Sequence, residues 1–278
     1  MEFVYSARNP QARVAYASFG AMHTVLETVL VGLPEPEAGR LSEEIERLVL
    51  ALDARLNRHD AGSLFARINA SQGREAVALD EETFVLLQLC EVFRKSTDGY
   101  FDIAALSPGG TVPAYRLDPA ARSVTLAGAD IVLDAGGFGK GYALDRVRKL
   151  LADAGVANAL VNFGDSSVAA VGSHPFGDCW QVTAKAGGGT FRLKEASLSL
   201  SGLRPDGRAH IVDPKSRRTV SDSVVVAVEG RSAFVCEILS TALYAAPAGA
   251  RQGISAEFEG YRHTEIKQHT ESWTEENL

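Results

Sequence analysis

The sequence lacks the cysteine pattern of a disulfide-stabilised or zinc-binding protein. Its 278 residues include three cysteines, Cys90, Cys179 and Cys236. The count is odd, and no two cysteines have the C-x-x-C spacing of a zinc or redox site. We therefore interpret all three as free thiols in a reducing compartment.

The sequence also lacks a long apolar run and an excess of positive charge. No stretch reaches the roughly 18 apolar residues of a membrane-spanning helix. The N-terminal MEFVYSARNPQARV has no basic segment followed by an apolar one, as a signal peptide would. The net charge of −7 is opposite to the basic footprint of a nucleic-acid-binding protein. We predict no nucleic-acid partner and no membrane span, with a cytoplasmic location as the sequence stands and a periplasmic one if a signal peptide was removed.

What is present indicates a globular α+β protein. Hydrophobic residues make up 46% and charged residues 23%, which provides for a sizeable core. Strand and helix patterns are mixed without strict βαβ alternation, which favours α+β over a doubly wound sheet. Helices are predicted at about 38–57 and 81–95, from the glycine-rich segment 133–143 to about 154, and from Ser232 to just before Pro247. Strands are predicted at about 3–5, 14–16, 23–31, 115–117, 123–126, 131–133, 159–161, 168–171, 180–183, 190–193, 197–200, 210–212, 224–228 and 254–258. Residues 1–260 form the predicted domain, and 261–278 a polar, partly disordered tail.

A glycine-rich turn at the start of the third helix is a candidate anion site. Four glycines between positions 136 and 141 flank Lys140. Glycines let backbone N–H groups approach an anion, and the helix N-terminus adds a favourable dipole. The spacing fits neither a Walker A loop nor a dinucleotide fingerprint. A tight strand-to-helix connection without a ligand remains the alternative.

Glu237 and Thr241 are candidate metal ligands. They are four residues apart on a predicted helix and therefore share a face. A carboxylate and a hydroxyl suit a hard cation such as Mg²⁺, although backbone carbonyls and substrate phosphates must complete the shell. The alternative is a solvated glutamate beside a threonine that packs between helices.

Two further segments combine polar and apolar residues in unusual ways. In His210-Ile211-Val212-Asp213-Pro214, a histidine opens a short apolar strand and could act as a base, a phosphate donor or a packing residue. In Gly99-Tyr100-Phe101-Asp102, the carboxylate could hold a ribose or ring edge, or simply end a helix. No HExxH or G-x-S-x-G motif indicates a zinc protease or a serine hydrolase.

The order of these segments resembles the ApbE-type FAD:protein FMN transferases. LDAGGFGKGYA (133–143) resembles that family's LDxGGxxKGYA, HIVDP (210–214) its HIIDP, and EILSTAL (237–243) its DxLxTAL helix. ALVNFG (159–164) and SLSG (199–202) resemble its second glycine-bearing strand and its Ser-Gly segment. Met22-His23-Thr24 stands at its MGT, Phe101-Asp102 at its FDP, and 60–69 at its D-x-x-S-x-x-x-x-x-N stretch. The resemblance covers about 22–258.

The resemblance implies a single mixed-sheet domain of two closely packed lobes with a specific activity. Such enzymes are Mg²⁺-dependent and move the FMN half of FAD onto a Ser or Thr hydroxyl of a target protein, releasing AMP. The implied metal ligands are the Gly139 carbonyl, Glu237 and Thr241. His210 is implied to orient or deprotonate the nucleophile, or to stabilise the phosphoryl group. The implied FAD-site residues are Met22, Asp102, Gly139, Lys140, Ser201, His210 and Ile211.

The chain departs from the family pattern at several of these positions. His23 replaces the glycine of MGT, Glu237 replaces the metal-binding aspartate, and Gly139 replaces the usual alanine before Lys-Gly. Ile103 and Ala104 replace the Pro-Thr that follows FD. Two other functions use the same site: an FAD pyrophosphatase that gives FMN and AMP, and a non-catalytic FAD-binding protein. The sequence names neither the acceptor protein nor the oligomeric state.

Overall fold

The computed structural model describes residues 1–9, 12–108, 113–184, 189–203 and 207–267. The strands are β1 (Glu2–Ser6), β2 (Val14–Ala21), β3 (Thr24–Val31), β4 (Val77–Ala78), β5 (Tyr115–Asp118), β6 (Ser123–Leu126), β7 (Asn158–Phe163), β8 (Ser167–Val171), β9 (Trp180–Thr183), β10 (Thr190–Leu193), β11 (Ser197–Ser201), β12 (Val212–Asp213), β13 (Arg218–Thr219), β14 (Val224–Gly230) and β15 (Arg262–Lys267). The helices are α1 (Glu35–Leu56), α2 (Leu64–Ser71), α3 (Glu81–Ser96), α4 (Gly139–Asp153), α5 (Ala233–Ala245) and α6 (Ala248–Ala256).

An eight-stranded antiparallel sheet forms the larger lobe, in the order β1-β2-β3-β7-β8-β11-β14-β15. Its strands alternate between two covered faces, as the two-residue period of a strand requires. On one face, Leu26 and Leu30 share a core with Ile45 of α1 and Leu144 of α4. On the other face, the β9–β10 hairpin brings Trp180 into a second apolar cluster.

The smaller lobe combines α2 and α3 with the three-stranded sheet β4-β6-β5. Helix α5 joins the two lobes because it is apolar almost all round. Phe234 and Ile238 lie in the core of the smaller lobe, whereas Leu239 and Leu243 pack near β14 of the large sheet. The α+β class with two closely packed lobes is confirmed. None of the helices described here is long and apolar enough to cross a membrane.

Local capping explains why several helices agree with the prediction. Asp80 accepts the Thr83 N–H at 2.8 Å and starts α3. Ser232 accepts the Val235 N–H at 3.2 Å and starts α5. Gly155 takes a positive φ of 70° directly after α4, which is the conformation a glycine allows at a helix end.

Two element predictions are wrong because tertiary contacts override a local pattern, and one helix was not predicted. Residues 254–258 were predicted as a strand, but α6 extends to 256 because Arg251 and Ile254, three apart, are both buried on one helical face. Residues 131–133 form no strand, since the Asn69 side chain bonds both the N–H (2.8 Å) and the carbonyl (3.0 Å) of Leu133. Helix α2, which begins at the Ser63 cap, was not predicted.

The polar segment predicted as a tail from residue 261 begins instead with an ordered strand. β15 pairs with β14 at the edge of the large sheet. Arg251, 3% exposed, anchors it by bonding Glu265 (2.8 Å) as well as Asp222 (2.7 Å). An edge strand has exposed groups along its length and often carries charge, so its composition is similar to that of a disordered tail. Residues 268–278, the rest of that segment, lie outside the described residues.

Candidate active site

Helices α4 and α5 meet so closely that only a glycine fits between them. A Cβ added to Gly141 would lie 2.9 Å from the Phe234 Cα and 2.7 Å from the Ala233 carbonyl carbon. One turn further along α4, Asp145 accepts the N–H groups of Ala233 (2.8 Å) and Phe234 (3.2 Å). This carboxylate also accepts the Ser232 hydroxyl at 2.5 Å. α4 therefore caps the N-terminus of α5, where a negative charge is favourable.

Glu237 of α5 reaches back to the start of α4. Its Oε1 accepts the Lys140 ammonium and its Oε2 the Gly141 N–H, each at 2.5 Å. The glutamate is 3% exposed, and such a buried carboxylate requires hydrogen-bonded, oppositely charged neighbours. The two contacts fix the carboxylate at the joint of the helices.

Thr241 lies one turn beyond Glu237 and faces the glycine turn. A Cβ on Gly137 would lie 3.3 Å from the Thr241 Cγ2 and 3.7 Å from its Oγ1. Within the described part of the chain, no hydrogen bond of the Thr241 hydroxyl is found. Glu237 and Thr241 thus present a carboxylate and an unengaged hydroxyl on the same helix face.

The glycine turn bonds mainly to the protein itself. The Gly136 N–H donates to the Asp134 carboxylate (2.7 Å), the Gly139 N–H to the Ala135 carbonyl (2.8 Å), and the Gly141 N–H to Glu237. The expected cradle of free glycine N–H groups is therefore not found at these three positions. A cationic group is nevertheless present at the turn, because Lys140 is its central side chain.

Three residues that support this turn were not among the predicted site residues. Arg58 donates to Asp134, Asn69 holds Leu133 as described above, and Asp145 caps α5. Asn69 belongs to the 60–69 stretch that resembles the family, so its motif was available as a sequence signal. Arg58 and Asp145 carry no comparable signal.

Met22, in a turn of the large sheet, lies next to the glycine turn at Gly139. Met22 and His23 form the two-residue β2–β3 turn with positive φ values of 47° and 61°, as hairpins of this length require. The Met22 N–H donates to Asp53 of α1 at 2.8 Å. Its Sδ would lie 3.7 Å from a Cβ on Gly139. His23 therefore occupies a left-handed position that a glycine takes without strain.

Asp102 lies in the loop after α3. Its Oδ1 accepts the Ala104 N–H at 2.8 Å. Burial raises the pKa of the Asp102 carboxyl, and the nearby cations Arg217 and Arg94 oppose that rise only in part. The preceding Phe101 lies against the glycine turn, since its ring would be 3.6 Å from a Cβ on Gly137.

Ser201 ends β11 of the large sheet, and His210 and Ile211 lie in the segment just before β12. The Ser201 hydroxyl donates to Ser240 of α5 at 2.9 Å, which in turn donates to the Glu237 carbonyl at 3.1 Å. His210 is exposed and precedes β12, so the strand predicted at 210–212 begins later than expected. The Ile211 carbonyl accepts the Val220 N–H at 2.8 Å.

A comparison with protein-family models identifies the family of this chain. The ApbE family model matches residues 22–111 and 110–260. The chain belongs to the ApbE family. The matched residues include the glycine turn, α4 and α5, and every predicted site residue.

Curated relatives and solved structures agree with this assignment. An FAD:protein FMN transferase of Chlamydia muridarum is 23% identical over 261 residues, which is 81% of this chain and 82% of the relative. An FAD:protein FMN transferase of Klebsiella pneumoniae is 28% identical over 214 residues, which is 63% of this chain and 66% of the relative. The structure of the flavin transferase ApbE of Vibrio cholerae has a TM-score of 0.77 at 17% identity and covers 92% of this chain and 97% of its own. The apo flavinyl transferase ApbE of Pseudomonas stutzeri has a TM-score of 0.78 at 21% identity, covering 92% and 96%. At these identities the structures show a shared ApbE fold.

Proposed function

We propose that this ApbE-family chain transfers the FMN part of FAD to a Ser or Thr hydroxyl of a target protein and releases AMP, with Mg²⁺ as cofactor. The observation that carries the proposal is the buried Glu237 at the joint of α4 and α5, bonded to Lys140 and one turn from Thr241. The curated relatives from Chlamydia and Klebsiella, both called FAD:protein FMN transferases, support the same reaction.

The residues at this joint fit a hard cation. In the described ranges, no three His, Cys, Asp or Glu side chains cluster as a ready-made metal site. A Mg²⁺ ion usually takes only one or two carboxylates and completes its shell with phosphates and water. Each Glu237 oxygen accepts one N–H and keeps further acceptor capacity, while Thr241 and the Gly139 carbonyl add neutral oxygens. When bound, the ion would neutralise pyrophosphate charge and polarise the phosphorus nearest the flavin.

The protein residues have separate tasks in the transfer. Lys140 orients the pyrophosphate of FAD through its ammonium group. Met22, Asp102, Ser201 and Ile211 line the site around the rest of the dinucleotide. These contacts position the phosphorus for in-line attack by the acceptor hydroxyl.

His210 is the proposed base. The acceptor oxygen forms a bond to the phosphorus nearest the flavin, and the P–O bond to AMP breaks. AMP leaves with the bonding electron pair, and His210 takes the proton of the hydroxyl. An exposed histidine is suited to this task because an acceptor protein must reach it from solvent.

The test uses the full chain, FAD, Mg²⁺ and a library of Ser- and Thr-containing peptides. We expect peptides that carry covalent FMN, detected by mass spectrometry, with an equal amount of AMP. Omitting Mg²⁺ or introducing His210→Ala should lower both products together. FMN and AMP without any peptide adduct would replace the proposal with a pyrophosphatase. FAD binding without AMP would replace it with a non-catalytic flavin-binding protein.

A further inference from the structure

The β12–β13 hairpin is fastened to the loop that follows Asp102. The Arg217 Nη1 donates to the carbonyls of Ala104 (3.0 Å), Ala105 (3.1 Å) and Ser107 (3.3 Å). Arg217 itself is partly buried, and its N–H donates to the Asp213 carbonyl at 2.8 Å within the hairpin. One guanidinium therefore joins two segments that are more than 100 residues apart in sequence.

The backbone of Arg217 has an unfavourable conformation for a residue with a side chain. Its φ is +57°, in the left-handed region that a non-glycine residue adopts only at an energetic cost. A glycine would relieve this strain but would remove the bonds to the three carbonyls. The backbone conformation at position 217 thus favours glycine, whereas the bonds of the side chain to the loop favour arginine.

A second, more exposed contact joins the hairpin to the residues just before Asp102. Lys215 bonds Asp98 at 2.7 Å and lies 4.0 Å from the centre of the Tyr100 ring. Exposed ion pairs of this kind contribute little to stability. Arg217 is accordingly the main connection between the hairpin and the loop.

We propose that Arg217 is a positioning residue for the FAD site. The His210-Ile211 segment leads into the β12–β13 hairpin, and Arg217 holds this hairpin against the Asp102 loop. The two segments then form one side of the FAD site, called the wall below, with a fixed geometry. The inference rests on the proposed function, because it assigns that wall to FAD. A prepositioned wall binds FAD more tightly, since the loops need not be ordered when the ligand arrives.

The experiment compares Arg217→Gly with Arg218→Ala. Arg218 is exposed on the same hairpin, and its variant removes the same charge without touching the loop. We expect Arg217→Gly to weaken FAD binding about tenfold in a flavin-fluorescence titration, equivalent to about 1.4 kcal/mol. KM for FAD should rise more than kcat falls. Arg218→Ala should bind FAD as the wild type does.

Hydrogen exchange tests the connection without any ligand. We expect faster exchange over 102–108 in Arg217→Gly than in the wild type and in Arg218→Ala. Arg217→Lys, which can still donate to carbonyls, should restore part of the protection and part of the FAD affinity. This variant also serves if Arg217→Gly is poorly folded.

The outcomes separate this inference from the proposed function. Unchanged exchange in Arg217→Gly, or faster exchange with unchanged FAD affinity, would overturn the positioning role. A wild-type protein that does not bind FAD would instead overturn the proposed function, whereas the exchange comparison would still report on the connection itself.

Discussion

The two sides of the candidate active site are held together by different kinds of contact. On the α4–α5 side, two regular helices meet at Gly141, and the buried Glu237 bonds back to Lys140. Asp102 and His210, the residues proposed for the other side, lie in loops. Close backbone packing at Gly141 and the side chains of Glu237 and Asp145 fix the first side. The contact described for the second side comes from one side chain, that of Arg217.

This difference has a functional consequence. Packed helices keep their geometry through many contacts, whereas the loop side depends on a few side chains such as Arg217 to keep its shape. We therefore expect the metal and pyrophosphate to bind to the rigid side. The loop side should recognise the rest of FAD and the incoming acceptor, and it should tolerate more sequence change.

The largest expected effect is the loss of activity in Glu237→Gln. The variant keeps the size of the side chain and an oxygen for the Gly141 N–H, but it removes the negative charge. Lys140 is 21% exposed at its side chain and can turn to solvent, so the fold should persist. We expect AMP release to fall about 100-fold or more, the scale of losing a key electrostatic group.

The control for Glu237→Gln is Glu257→Gln, which removes the same charge at the exposed end of α6. It should leave AMP release unchanged, and thermal melting should show that both variants are folded. Nearly normal AMP release in Glu237→Gln would contradict the metal assignment.

A smaller effect, on stability, distinguishes two glycines of the rigid side. Gly141→Ala should lower the free energy of unfolding by about 1–3 kcal/mol, the usual cost of overpacking. Gly139→Ala should be neutral or stabilising by up to about 1 kcal/mol, because alanine is the better helix former. The nearest atoms to a Cβ on Gly139 are 3.7 Å away. Urea unfolding measures both variants, and a Gly141→Ala variant as stable as the wild type would contradict the close contact of α4 and α5 at Gly141.

The smallest effect concerns the loop side and depends on pH. Burial raises the pKa of Asp102 above its ordinary value of 3.8, so protonation favours the folded state. The stability that this group contributes is present below pH 3.8 and is lost as pH rises through the raised pKa. Asp102→Asn keeps an oxygen for the Ala104 N–H and should melt slightly higher at neutral pH, with a flatter pH profile. A lower melting temperature at neutral pH would show that the loop needs the charge.

The rigid side was largely predictable because its signals are local. The Ser232 cap of α5 and Gly155 after α4 stand next to the helices that they start or end. The place of the glycine turn also followed from its motif. The partners of its N–H groups could not be predicted from the motif, because the Gly141 N–H donates to a carboxylate 96 residues away in sequence.

The parts that sequence reasoning missed depend on distant partners. Residues 131–133 have a strand-like pattern, but the Asn69 side chain hydrogen-bonds the N–H and the carbonyl of Leu133. β15 was predicted as a tail because its charges fit both a disordered segment and a sheet edge, and only its pairing with β14 distinguishes them. Arg217 had no sequence signal, since its role depends on the carbonyls of a loop far away in the chain.

The most direct test of the α4–α5 site is a titration of FAD into the purified protein with and without Mg²⁺, followed by flavin fluorescence. We predict that Mg²⁺ tightens FAD binding about tenfold or more in the wild type, equivalent to about 1.4 kcal/mol, and has no such effect in Glu237→Gln. Equal affinity with and without Mg²⁺, or no FAD binding in either condition, would contradict the account of this site.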